Sequence, residues 1–284
     1  MPRRAAFAGS FYPLKREELE AVIKGFMEDA DIEKVGDLVS LVAPHAGYIY
    51  SGSVAAYSYK ALSAWLSGIG QNRDMTFVLI GPNHTGYGTA LSLSPDDWET
   101  PLGKVANDRE LTSRLVEYSD MLSVERMAHL SEHSIEVQLP FLQNVVKNPR
   151  CIFLCMGDQS HESSMLVAEA LHSASEESGK RLFVIASSDF NHYESAEAAK
   201  LKDMPAIRLI EKLDAEGFAD AIGRSGDTAC GYGPISVAAL YAGMQGNSEG
   251  RLLRYSNSGT ETGDYSSVVA YASILFEKAR LGKA

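Results

Sequence analysis

The sequence predicts an α/β fold: a single-domain α/β/α sandwich around a mixed, mostly parallel central sheet. Three observations carry this. Apolar runs of strand length alternate with longer segments of helical period, the pattern of a parallel sheet with helices on both faces. The last two apolar runs are separated only by a turn-like segment, which predicts an antiparallel closing pair. No low-complexity linker and no internal repeat divides the 284 residues, so residues 1–284 read as one domain.

The first helix is expected over 17–28, where Leu19, Val22, Ile23, Phe26 and Met27 recur with helical period. A short strand over 37–43 is broken by Pro44, and an Ala- and Leu-rich helix follows over 51–66. The second strand, 75–80, ends in Gly81-Pro82-Asn83-His84. Residues 90–104 form a turn-rich excursion with a short strand over 91–93. Asn107 reads as the cap of the next helix, with Glu110 as its capping-box partner. A further helix is expected from Glu132 or His133 towards Val146, kinked or broken by Pro140. Strands over 151–156 and 181–186 flank a long helix over 162–177. Polar helices fill 196–222, a Gly-rich loop spans 226–233, and a small-residue helix follows over 234–242. Strands over 251–256 and 266–276, joined through 257–263, close the chain, and the apolar character of the second suggests a central place in the sheet.

Charge and composition exclude several classes. Hydrophobic residues make up 45% and charged residues 22%, enough for a sizeable core. A formal charge of −11, from 37 acidic against 26 basic residues, disfavours a nucleic-acid binder, since that affinity comes largely from Lys and Arg. No apolar stretch reaches the length of a membrane span. Arg3 and Arg4 precede no apolar run of signal-peptide length. Three cysteines make no disulfide framework, and Cys151 and Cys155, at opposite ends of a strand, stand about 13 Å apart, too far to pair. A reducing cytoplasm fits best.

The chemistry collects at strand ends. Pro44-His45-Ala46-Gly47, Gly81-Pro82-Asn83-His84 and Ser187-Ser188-Asp189-Phe190-Asn191-His192 each follow an expected strand. The carboxyl ends of parallel strands share one edge, where ligands commonly bind. His45, His84 and Cys230 make a chemically coherent mononuclear metal site, with the helix after Cys230 favouring its thiolate. The alternative is that the histidines close strand ends through hydrogen bonds and Cys230 is a buried free thiol. His192 suits proton exchange beside a metal-bound substrate, and Asp189 suits orienting an imidazole; an Asx turn is the alternative for Asp189. His129-Leu130-Ser131-Glu132-His133 matches the H-x-x-E-H pattern of inverted zinc peptidases, but no following helix offers a third carboxylate ligand. His133 begins or caps the next helix and can face the pocket, with Glu136 placed to pair with it. Tyr48, Tyr50, Tyr57 and Tyr59 either line a pocket for a planar substrate or pack a helix on the sheet. Gly81 to Gly88 lacks both the G-x-G-x-x-G order and a Walker lysine, so nucleotide binding gains no support.

Six motifs together resemble the Memo family, whose prokaryotic members are also called AmmeMemoRadiSam system protein B. They are Ala8-Gly9-Ser10-Phe11-Tyr12-Pro13, Ala43-Pro44-His45-Ala46-Gly47-Tyr48, Gly81-Pro82-Asn83-His84, Glu132-His133-Ser134-Ile135-Glu136, Ser187-Ser188-Asp189-Phe190 and Asp227-Thr228-Ala229-Cys230-Gly231-Tyr232-Gly233. The likeness runs over nearly the whole chain. That family in turn is similar to class III extradiol (LigB-type) dioxygenases, which implies a LigB-like sandwich. The resemblance implies metal ligands at His45, His84 and Cys230, pocket residues at His133, Asp189 and His192, and an acid/base role for His192. Since a thiolate stands where the dioxygenases carry a carboxylate, softer metals and redox chemistry come into play.

The expected function is thus a metal-binding, dioxygenase-like redox protein with a His/His/Cys site. Its cofactor would be Fe(II) foremost, with Cu or Zn as alternatives, and the ion could be lost on purification. A small aromatic or peptide-like ligand is the expected substrate class. The alternatives are a non-enzymatic binding or accessory protein partnering a radical-SAM protein, and a zinc-dependent hydrolase.

Overall fold

A strand covered on both faces is apolar at nearly every position, and the segments 38–43, 75–82, 150–156 and 181–187 come close to that pattern. In the computed structural model, which describes residues 2–70 and 75–279, the strands are β1 (Leu38–Ala43), β2 (Met75–Pro82), β3 (Leu91–Leu93), β4 (Trp98–Thr100), β5 (Gly103–Asn107), β6 (Leu122–Val124), β7 (Arg150–Met156), β8 (Arg181–Ser187), β9 (His192–Glu194), β10 (Ser248–Asn257) and β11 (Val268–Lys278). The helices are α1 (Arg16–Asp29), α2 (Tyr48–Ile69), α3 (Arg109–Tyr118), α4 (Met127–Leu130), α5 (Leu139–Val145), α6 (His161–Ser178), α7 (Ala196–Glu211), α8 (Ala215–Ser225), α9 (Tyr232–Met244) and α10 (Gly259–Thr262).

The sheet runs β10-β11-β1-β8-β2-β7-β3-β6. Its centre is parallel, with β8 between β1 and β2 and with β7 beside β2. Both flanks turn antiparallel, through β11 on β1 and β3 on β7. Alternate residues feed two cores. Phe77, Leu79, Phe153, Phe183 and Ile185 pack beneath Leu19, Ile23, Tyr59 and Leu62 of α1 and α2. Val78, Ile80, Ile152, Leu154 and Val184 meet Leu171, Ile207, Phe218 and Val237 from α6 to α9 on the other side. This is the expected single-domain α/β sandwich with a mixed sheet. The closing pair is antiparallel, and β11 lies inside the sheet, between β10 and β1.

Several local expectations are corrected. The helix cap is Asp108, whose carboxylate accepts from Leu111 N; Asn107 is the last residue of β5. There is no continuous helix over 132–146. A turn and one 3-10 turn (Glu136–Gln138) precede α5, and Pro140 sits in the first turn of that helix, where its missing N–H is harmless, so it starts the helix instead of kinking it. Tyr48 and Tyr59 belong to the core, donating to Val137 O and Gln138 Oε1, while Tyr50 is exposed. Cys151 and Cys155 are buried and free. Among the described residues no helix is long and apolar enough to cross a membrane.

Because β1, β2 and β8 are parallel, their carboxyl ends reach one edge together and deliver Pro44-His45, Asn83-His84 and Ser188-Asp189 side by side. Two glycines permit the close approach. A Cβ on Gly81 would collide with the Ser134 hydroxyl, and one on Gly231 would come 2.5 Å from Ser187 O.

Candidate metal centre

Three imidazoles meet at this edge. His45, His84 and His133 each place one ring nitrogen within 4.8 Å of the others. Their ring centroids are 5.3 Å apart for His45 and His84, 5.2 Å for His45 and His133, and 4.6 Å for the stacked pair His84 and His133. His45 is buried, His133 half-buried and His84 exposed, so the cluster opens on the side of His84.

Hydrogen bonds decide which nitrogens are free. Ser187 Oγ donates its one proton to Ser134 O at 2.6 Å and accepts from Gln138 Nε2 at 2.8 Å. The His45 Nδ1 contact to that hydroxyl, 2.9 Å, is therefore an Nδ1–H donating. Tyr59 fixes the Gln138 amide by donating to its Oε1 at 2.9 Å. His84 Nδ1 lies 2.9 Å from Glu132 Oε1, and His133 Nδ1 lies 3.4 Å from the same oxygen. A carboxylate only accepts, so it draws Nδ1–H from His84, while His133 Nδ1 stands at ion-pair range of it. The Nδ1 atoms of His45 and His84 are thus committed, and Nε2 is left as the donor atom in those two rings.

Burial keeps the His45 and His133 rings neutral. Burial, followed by the neighbouring His133 and His84, depresses His45 well below the ordinary histidine range. Burial likewise brings His133 down to about 4. For Glu132 burial works upward, but the His84 hydrogen bond and charge and the N–H groups of Ser134 and His84 outweigh it, holding the carboxyl at about 2. Neutral imidazoles backed by an ionised carboxylate are the state that metal binding requires.

The expected His/His/Cys set is corrected here: the third converging side chain is His133, not Cys230. Cys230 Sγ lies 3.2 Å from His45 Nε2 and 3.7 Å from Asp189 O, outside the group of converging donors. Nor does the start of α9 make it a thiolate. Burial pushes the thiol up, and the Asp189 charge pushes it further. In the metal-free protein Cys230 is thus a thiol hydrogen-bonded to its neighbours, and with His133 as the third converging side chain the redox function built on a His/His/Cys site falls.

The other expected residues line the same place in altered roles. Asp189 does not orient a ring. Its Oδ1 accepts from the main-chain N–H of His45 at 2.8 Å and of Ala46 at 3.3 Å, fixing the turn that presents His45. Burial raises its carboxyl to about 7. His192 opens β9, its N–H donating to Thr228 Oγ1 at 2.7 Å and its Nδ1 buried without a partner. Burial, then weaker effects that include the His84 charge, lowers its pKa. Glu136 does not pair with His133. It is fully buried and ion-paired to Arg3 at 2.6 Å, and it also accepts from Tyr12 and from the N–H groups of Ala6 and Phe7.

Residues outside the expected site complete it. The arm held by Glu136 lays Phe7 and Phe11 against His133, at ring separations of 5.5 and 4.7 Å. Glu132 was visible in the sequence as a helix start, within a family motif and within an apparent peptidase pattern, but not as a site residue. The peptidase reading fails because His129 points away: it is buried against Trp98, with Nε2 3.0 Å from Ser92 O. Elsewhere, a cavity of about 210 Å³ lined by Leu66, Met75, Phe77 and Val145 lies at the opposite, amino-terminal end of the strands and gathers no ligand set.

Residues 3–275 match the family model described as Memo-like protein. A MEMO1 family protein of Methanosarcina acetivorans is 42% identical over 97% of this chain and 99% of its own length. One from Methanopyrus kandleri is 41% identical over 98% and 100%, and one from Pyrococcus furiosus 37% over 98% and 100%. Among solved structures, the uncharacterized protein JW3007 from Escherichia coli K12 is similar at 12% identity, with a TM-score of 0.46, covering 83% of this chain and 99% of that one.

Proposed function

This chain belongs to the Memo-like family, and from its site we propose that it binds one divalent first-row transition-metal ion through Nε2 of His45, His84 and His133 and presents it to a small ligand. The observation that carries this is the meeting of one nitrogen from each of three rings within 4.8 Å, with the Nδ1–H groups of His45 and His84 fixed by Ser187 and Glu132. Imidazole suits Fe(II), Zn(II) and Cu alike, and Fe(II) is the ion we propose first. When bound, an ion held only by neutral nitrogens keeps its full charge and supplies Lewis-acid polarisation.

The chain's own groups do the rest. Asp189 holds the His45 turn, and Phe7 and Phe11 wall one side of His133 so that a ligand approaches from the exposed face of His84. His192, with its pKa lowered by burial, is neutral at pH 7 and can take a proton from a bound ligand.

The test is anaerobic titration of the whole protein with Fe(II) and with Zn(II). One equivalent should bind, and His45→Ala, His84→Ala and His133→Ala should each abolish it, whereas Cys230→Ser retains it. Loss of binding in Cys230→Ser together with retention in His133→Ala would overturn the assignment.

A further inference from the structure

Two carboxyls meet beneath the loops that carry His192 and Cys230. Asp203, on α7, is completely buried, and Asp227, in the loop after α8, is about nine-tenths buried (9% exposed). They lie within hydrogen-bond reach of each other. Asp203 accepts from Tyr255 Oη at 2.6 Å and from Asn191 N at 3.2 Å. Asp227 Oδ1 accepts from Ala229 N at 3.2 Å and from Asn191 Nδ2 at 3.5 Å, while its Oδ2 is buried with no partner. No ion pair reaches either carboxyl among the described residues. Lys202, next to Asp203 on α7, is committed to Glu194 at 2.8 Å and Gly226 O at 3.4 Å. The remaining titratable groups around the pair are His192 and Glu194 on β9 and Tyr255 on β10.

Two bare carboxylates cannot share a buried, cation-free place, because desolvation and mutual repulsion both oppose it; such pairs keep one proton. The partnerless oxygen of Asp227 shows where the proton goes. We infer that Asp203 stays protonated at neutral pH and donates to Asp227 Oδ2, and that this acid pair is the clasp positioning His192 and Cys230 at the mouth of the metal centre. Through Asn191 the pair grips the segment leading into β9, and through Ala229 it grips the turn before Cys230. The bond from His192 N to Thr228 ties the two segments together above it. In accord with this, burial first and the Asp227 charge second push the Asp203 carboxyl up to about 8. No ion enters this inference, so it stands apart from the metal-binding reading.

Linkage gives the test its sign. The closed clasp holds a proton that an opened, hydrated Asp203 releases at ordinary carboxylate pH, so opening becomes easier as pH rises, by up to about tenfold per pH unit between about 4 and 8. Amide hydrogen exchange of the metal-free protein, corrected for the intrinsic chemical rate, reads this over 188–194 and 226–231 between pH 5 and 8. Wild type should show a rising opening constant in both segments. Asp203→Asn keeps a donor to Asp227 without a titrating proton, so its profile should be shallower than wild type and should level off above about pH 7, where Asp189 no longer contributes. If that variant does not fold, Asp227→Asn, which removes the charge facing Asp203, should show a shallower rise than wild type. A pH-independent wild type, or variant profiles parallel to wild type, would overturn the clasp; a merely structural role for the pair moves the level of exchange and not its slope.

Discussion

At Glu132 a single carboxylate faces the Nδ1 atoms of two imidazoles, at 2.9 and 3.4 Å, and accepts from two main-chain N–H groups, at 2.6 and 2.9 Å. It thereby sets the tautomer of His84. Partners of this kind typically account for 10–100-fold in metal affinity. Glu132→Gln removes the charge that holds His84 and faces His133, so Zn(II) affinity should fall by about that factor with the fold retained. Competition against a chromophoric chelator measures it, and wild-type affinity in the variant would place tautomer control elsewhere. Sequence spacing named this residue but misassigned it, since H-x-x-E-H implies two histidines on one helix face. In the fold Met127–Leu130 is one helical turn that aims His129 into the Trp98 core, and the chain after it turns His133 the other way. Spacing carries no information about that turn.

At the scale of elements, the amino-terminal arm closes the site without being a strand or helix. Arg3 stacks on Trp98, with its guanidinium 4.0 Å from the ring centroid, bonds His129 O and Glu132 O, and pairs with Glu136. Removing one partner of a buried ion pair leaves the other charge unpaired, at a cost of about 3–5 kcal/mol. Arg3→Ala should therefore lower unfolding stability by about that much in urea. Metal affinity should fall as well, because the wall of Phe7 and Phe11 against His133 loosens. A stability loss below about 1 kcal/mol would mean that Tyr12 and the two N–H groups hold Glu136 without Arg3. The arm was legible only as a motif, since no periodicity marks a segment anchored by bonds to distant residues such as Asp97, His129, Glu132 and Glu136.

For the molecule as a whole, opposed titrations predict where the metal-free protein is most stable. His129 and His133 titrate at about 4, against about 6.5 in an unfolded chain. The unfolded state binds more protons between those values, so each contributes up to about 3 kcal/mol that is lost as pH falls from 6.5 to 4. Asp189 and Asp203, raised to about 7 and about 8, act oppositely: the folded state binds more protons, and stability declines as pH rises from about 4 through those values. Below pH 6.5 two histidines offset two acids, and His45, which burial also holds well below the ordinary range, tips the balance so that stability still rises with pH; above 6.5 only the acids remain. Denaturant unfolding across pH should therefore peak near 6.5 and decline towards 8. A curve still rising from 6.5 to 8 would refute the protonated state of the buried acids.

The sequence by itself determined the sandwich, the parallel centre and the inner place of β11, because hydrophobic periodicity records which faces of an element are buried, and its six motifs determined the family. It also determined that His45 and His84 share an edge, since parallel strands must end together. Only the tertiary structure decided that His133 completes the cluster, that Cys230 keeps its proton and that Asp203 and Asp227 meet. Those outcomes depend on where side chains far apart in the chain point and on how much water is left around them, and neither is written in the local pattern of residues.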